Sequence, residues 1–163
     1  MEDSNDLAQE TGMAAFGMAG HLIRRLHQQS TQVFVQRARE ARLDLTSVQF
    51  AAMDAIRAHP GIDQAGVAAL IAYDRATIGG VIDRLVAKGW VARSVNRRDR
   101  RAREVRLTPA GAQLFAAALP VVEALQADIL APLDPAERTA FLTLARKALA
   151  PPSGTDTGDA TGT

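Results

Sequence analysis

The sequence predicts a mainly α-helical fold interrupted by one small β-hairpin. Three observations carry that expectation. Aromatic residues make up only 4% of the 163 residues while alanine and leucine are plentiful, which favours helices over a sandwich or barrel. Apolar residues recur at spacings of three and four over most of the chain. Only around 91–95 and 104–107 does the pattern change to alternation, with the stretch RRDRRAR between the two runs.

The elements follow in order. Residues 1–13, opening MEDSNDLAQE, are acidic and polar and read as a flexible lead-in unlike a signal peptide. A long helix is expected over about 14–40, with Phe16, Ala19, Ile23, Leu26, Ser30, Val33 and Arg37 on one face. At about 40 Å it is long for a small domain and calls for a packing partner. Thr46 and Gln49 have capping-box spacing, so a second helix starts there and ends at His59-Pro60-Gly61. Asp63 caps a short helix holding Val67 and Leu70, and Asp74 caps the next, which ends at Lys88-Gly89. The hairpin comes next. Thr108-Pro109 then opens a helix reaching about 130, and Asp134-Pro135 opens the last. The tail PPSGTDTGDATGT has no apolar anchor and reads as disordered.

Composition narrows the function. There is no cysteine, which excludes disulfides, thiolate metal sites and cysteine redox sensing within this chain. His21, His27 and His59 lack metal-ligand spacing, so no metal is expected. No Ser/His/Asp arrangement, glycine-rich phosphate loop or carboxylate pair stands above chance, so neither an enzyme nor a cofactor is expected. No run of 18 apolar residues suggests a membrane span. The expectation is a cytoplasmic protein.

Charge points to a partner. The chain carries a formal net charge of +1, yet residues 75–106 hold ten Lys/Arg against three acids, Asp83, Asp99 and Glu104. A short helix, a turn, a second helix and a basic hairpin form a winged helix-turn-helix: a helix fits the major groove and a ribbon the neighbouring minor groove. Arginines at the hairpin tip suit a narrow, electronegative minor groove. Asp99 either holds a neighbouring guanidinium in one orientation or favours the turn.

These segments resemble the MarR-type winged helix-turn-helix transcriptional regulators. AYDRATIGGVIDRLVAKGWV at 72–91 is similar to the family's recognition helix and its exit into the wing. DRRAREVRLTPAG at 99–111 is similar to its Asp-x-Arg wing signature and the helix that follows. The resemblance covers roughly 15–150 and implies one domain over 14–150. In it 14–45 and 109–150 would be dimerisation helices and 46–108 the winged core. It implies a homodimer that acts as a repressor at a pseudo-palindromic DNA operator. Arg101 would enter the minor groove with Asp99 as its holder. Tyr73, Asp74, Arg75 and Thr77 would lie at bases and phosphates, with Arg84 later on the helix, paired with Asp83 or Asp99 or reaching phosphate. Arg97, Arg98, Arg100 and Arg103 complete the basic wing.

One departure stands out. The family often places a hydroxyl and then a large polar or basic residue where this chain has Gly79-Gly80. Each helical glycine costs about 1 kcal/mol against alanine, so close approach to DNA or tight helix packing should compensate. The resemblance also implies an effector pocket. An aromatic carboxylate or phenol would suit His21 and Arg25, four apart on one helix, together with Gln49, Phe50, Met53 and Tyr73. The stretch IDQAGVAALIAYDRATIGGVIDRL looks like the branch controlling catabolism of aromatic acids, including nicotinate-type compounds. The alternative is a ligand-independent architectural or adaptor protein using the same wing without sequence choice.

Overall fold

Capping side chains set the element boundaries of the computed structural model, which describes residues 14–95 and 103–150. The order is α1 (Ala19–Glu40), α2 (Ser47–Ala58), α3 (Gln64–Leu70), α4 (Arg75–Ala87), β1 (Val91–Val95), β2 (Arg103–Leu107), α5 (Pro109–Ile129) and α6 (Pro135–Leu149). The mainly helical fold with one antiparallel hairpin is therefore observed. Thr46 and Gln49 form the reciprocal capping box at the start of α2. Asp63 accepts from the Gly66 amide at 2.7 Å, and Thr108 from the Gly111 amide at 3.0 Å. Asp134 and Glu137 make a second capping box at α6.

Three helices end the same way, with a left-handed residue followed by an amide that reaches back five residues. Gly89 (φ 73°) does this after α4, where Trp90 N–H donates to Leu85 at 3.0 Å. Arg42 (φ 55°) does it after α1, and Ala72 (φ 56°) after α3. Their following amides, Leu43 and Tyr73, donate to Ala38 and Ala68. Only the glycine at 89 announces its turn in the sequence.

The start of α1 corrects the sequence expectation. The helix begins at Ala19 rather than 14, and its N-cap Met18 offers no side-chain hydrogen bond. Gly17 and Gly20 flank the start, where glycine's backbone entropy opposes helix nucleation. The buried face also differs. Phe34 and Ala38 are buried against Leu125 of α5, whereas Ile23 is 66% exposed. Arg37 ties the same helices, with Nε donating to Asp128 at 2.8 Å and an ion pair to Glu40 at 3.0 Å.

The chain divides into two compact units between Ile129 and Leu130. The core of the first joins Met53 and Ile56 of α2, Val67 of α3, Ile78, Ile82 and Leu85 of α4, Val105 of β2 and Phe115 of α5. Full burial of each large aliphatic side chain contributes about 1.5–3 kcal/mol. The helix α5 continues through Pro120 and is long and apolar enough, by length and composition, to cross a membrane. It buries Phe115, Ala118 and Leu125 in the first unit. In the second unit, α6 has no buried residue, and Leu142, Leu144 and Leu149 are exposed.

Candidate nucleic-acid interface

Short α3 and α4 bend by 113° across the Ile71–Asp74 turn, a helix-turn-helix angle. Left-handed Ala72 reverses the chain, and Asp74 starts α4 immediately afterwards. The inward face of α4 is Ile78, Val81, Ile82 and Leu85, all buried. The outward face carries Arg75, Ala76, Thr77, Gly80, Asp83 and Arg84, all exposed. Hydrophobic periodicity thus decides which cations face solvent.

Asp74 has a structural task. Its carboxylate accepts from the Thr77 amide at 2.8 Å and the Thr77 hydroxyl at 2.6 Å. The Thr77 hydroxyl bond, then its amide bond, hold the Asp74 carboxyl below its ordinary value. A depressed carboxylate stabilises the fold above its unfolded value and loses that effect as pH falls through the folded one. Loss of the α4 cap is therefore expected below about pH 3.8, the ordinary value for this group. Asp74→Ala should flatten that acid limb of the unfolding midpoint against pH. An unchanged limb would remove Asp74 from the account. Thr77, expected near bases, has its hydroxyl proton committed to Asp74 in the free chain. Tyr73 stands at the turn, 37% exposed.

The hairpin pairs in register from Val91↔Leu107 to Val95↔Arg103. A third segment joins its edge: Gly61 N–H donates to Val105, Val105 N–H to Ile62, and Asp63 bridges Glu104. Arg103 is exposed at the distal end of β2. Arg97, Arg98, Asp99, Arg100 and Arg101 lie outside the described residues.

One residue at this surface escaped the sequence reading. Arg93 of β1 pairs with Asp83 of α4 at 2.5 Å, and its side chain is only 23% exposed. The pair links the candidate recognition helix to the first strand of the wing. Asp83 is thus engaged by Arg93, and Arg84 makes no ion pair among the described residues, which do not include Asp99. The only advance signal was an arginine on the alternating run of β1. Lys88 completes the frame, donating to Asp44 Oδ2 at 2.7 Å and standing 4.5 Å from the Trp90 ring centre.

The six expected effector residues do not converge within one chain. Met53 is wholly buried in the core. Gln49 is 5% exposed, and its Oε1 accepts from the Thr46 amide in the capping box. Phe50 stacks on Phe115 with ring centres 4.9 Å apart and meets Phe34 at 6.4 Å. His21 lies thirteen residues before Phe34 on α1, roughly 20 Å along the helix. His21 and Arg25 therefore occupy the far end of that helix, beside Phe16. Core burial and capping, both products of tertiary packing, commit Met53 and Gln49 to other tasks within one chain.

Comparisons with known proteins agree with this geometry. The MarR family profile matches residues 43–102. The HTH-type transcriptional repressor NicR of Pseudomonas putida is 38% identical over 128 residues, covering 78% of this chain and 80% of NicR. A solved structure on regulation of DNA binding of Bordetella bronchiseptica BpsR by 6-hydroxynicotinic acid superposes with a TM-score of 0.76. It is 34% identical and covers 85% of this chain and 97% of BpsR. A mutant MarR from E. coli complexed with operator DNA gives a TM-score of 0.72 at 28% identity, covering 80% and 93% of the two chains.

Proposed function

Because the chain belongs to the MarR family of transcriptional regulators, a family of DNA-binding proteins rather than enzymes, we propose that it acts as a homodimeric repressor released by a small aromatic acid. The observation that carries this reading is the joined surface of α4 and the hairpin. Exposed Arg75 and Arg84 flank one helix face, and the Arg93–Asp83 pair fastens that helix to an arginine-rich wing. Two such lobes related by a dimer axis would enter successive major grooves of a pseudo-palindromic operator, about 34–36 Å apart.

Each unit supplies apolar surface for a dimer. Leu22, Ile23 and Val35 of α1 are exposed, as are Leu142, Leu144 and Leu149 of α6. The assignment of 14–45 and 109–150 to dimerisation and 46–108 to DNA rests on that distribution and on the family. The acid is suggested by BpsR, whose DNA binding is regulated by 6-hydroxynicotinic acid, and by the cation and imidazole at Arg25 and His21. Release needs only a ligand that prefers a dimer with wrongly spaced recognition helices, and a coupling of about 1–3 kcal/mol suffices for partial release.

The test is binding to a duplex from the gene's own upstream region and to a random duplex, at two salt concentrations, with and without 6-hydroxynicotinate. Salt-sensitive, selective binding that the acid weakens is the expected result. Arg101→Ala should bind more weakly to every duplex and reduce the log–log salt slope by about 1. Arg75→Ala should instead change the preference between duplexes. If both variants bind like the parent, these site assignments are wrong. Equal affinity for both duplexes would favour the ligand-independent architectural reading.

A further inference from the structure

Phe16 precedes α1 but packs back onto it. The Met18 amide donates to the Ala15 carbonyl at 3.0 Å, closing a turn that carries the Phe16 ring to the first turns of the helix. The ring centre lies 5.5 Å from that of His21, tilted by 37°. The Arg25 guanidinium stands 5.1 Å from the same ring centre. His21 and Arg25 are four residues apart and so present one helix face to it.

The cluster is polar where Phe16 is not. His21 Nε2 is buried and has no hydrogen-bond partner among the described residues. An unsatisfied buried polar atom is costly, and a phenyl ring offers it nothing strong. Phe16 thus supplies a π-face to the cation and an apolar cover to the imidazole, and leaves one hydrogen-bonding demand unmet. An aromatic carboxylate would supply the ring, a charge-assisted partner for Arg25 and a partner for His21. Arg25 also borders an open groove of about 540 Å³, lined with Leu22, Leu26, Gln28, Gln29 and Gln32.

We infer that Phe16 is a built-in occupant of the effector subsite at His21 and Arg25, which an aromatic acid must displace in order to bind. The inference rests on the reading of those two residues as effector contacts. Phe16 then sets the ligand threshold: apparent affinity is reduced by the fraction of time the ring fills the subsite. Displacement also frees the segment before α1, so ligand binding is reported at the N-terminal end of that helix.

The experiment is calorimetric titration of the full-length parent, Phe16→Ala, Arg25→Ala and His21→Ala with 6-hydroxynicotinate and with benzoate. Far-ultraviolet circular dichroism checks that each variant keeps the fold. Phe16→Ala should bind the acids about fivefold to seventyfold more tightly, the weight of one ring–cation contact and one ring pair. Arg25→Ala should lose most of the affinity. If Arg25→Ala weakens binding but Phe16→Ala binds equally or less well, the occupant role is overturned while the effector site stands. If Arg25→Ala and His21→Ala both bind like the parent, or if neither acid binds any of the four proteins, the effector site falls and the occupant role with it.

Discussion

Replacing Gly111 by alanine is expected to destabilise the fold by about 3 kcal/mol or more, one of the largest effects of any single methyl in this chain. A Cβ at this position would stand 2.0 Å from the Trp90 carbonyl oxygen and 2.8 Å from its carbon. Both are backbone atoms, so neither can swing aside. The carbonyl is further held because it accepts from the Thr108 amide at 3.0 Å. Thr108 is itself anchored, donating its hydroxyl proton to Gly89 at 2.7 Å and accepting from Gly111 at 3.0 Å. The first turn of α5 is thereby latched to the exit of α4 and the base of the wing. Urea or thermal unfolding followed by Trp90 fluorescence reads both the stability and the site itself. The expected fall in Tm is roughly 6–12 °C. A midpoint within about 2 °C of the parent would mean that the latch relaxes freely and that this account of α5 is wrong.

The double substitution Gly79→Ala, Gly80→Ala should move stability and DNA affinity in opposite directions. Among the described residues nothing lies within 4 Å of a Cβ built on Gly80, and one on Gly79 meets Gln64 Nε2 at an ordinary 3.7 Å. Tight helix packing, one of the two compensations expected from sequence, is therefore not found at these positions among the described residues. Both residues lie inside α4 with ordinary helical backbone, so alanine should stabilise by about 1–2 kcal/mol in total. Gly80 is on the exposed face beside Ala76, Asp83 and Arg84. On the proposed function, a smooth backbone there would let the helix approach the groove closely, and two methyl groups should lower operator affinity tenfold or more. Thermal unfolding and fluorescence anisotropy on the same preparations test the two halves. Unchanged or tighter operator binding would defeat the close-approach explanation, and lower stability would show that the fold itself requires the glycines.

Much of this architecture was legible because its signals are local. Thr46, Asp63, Asp74, Thr108 and Asp134 each sit within three residues of the amides they cap, so spacing alone located five helix starts. Glycine at 89 marked a left-handed turn for the same reason. The ends at Arg42 and Ala72 gave no such signal, because those residues adopt the left-handed region against their own preference, closed by the Leu43 and Tyr73 amides that reach back to Ala38 and Ala68. The length of α1 was overestimated because periodicity runs on past Gly17 and Gly20 into residues that do not continue the helix.

The candidate site divides along the same line. Propensity, caps and charge are properties of short segments, and so the helical class, the order of elements, the basic hairpin and the family could be read along the chain. Tertiary structure alone decided that Arg93 takes Asp83, that residues 61–63 extend the wing sheet, and that Gly111 latches α5 to Trp90. It also placed Gln49 and Met53 in the core and set Phe16 against His21 and Arg25. The reason is physical: these contacts depend on which side chains meet once helix faces are buried against one another, and that choice is made by the packing of the whole core rather than by any one stretch of chain.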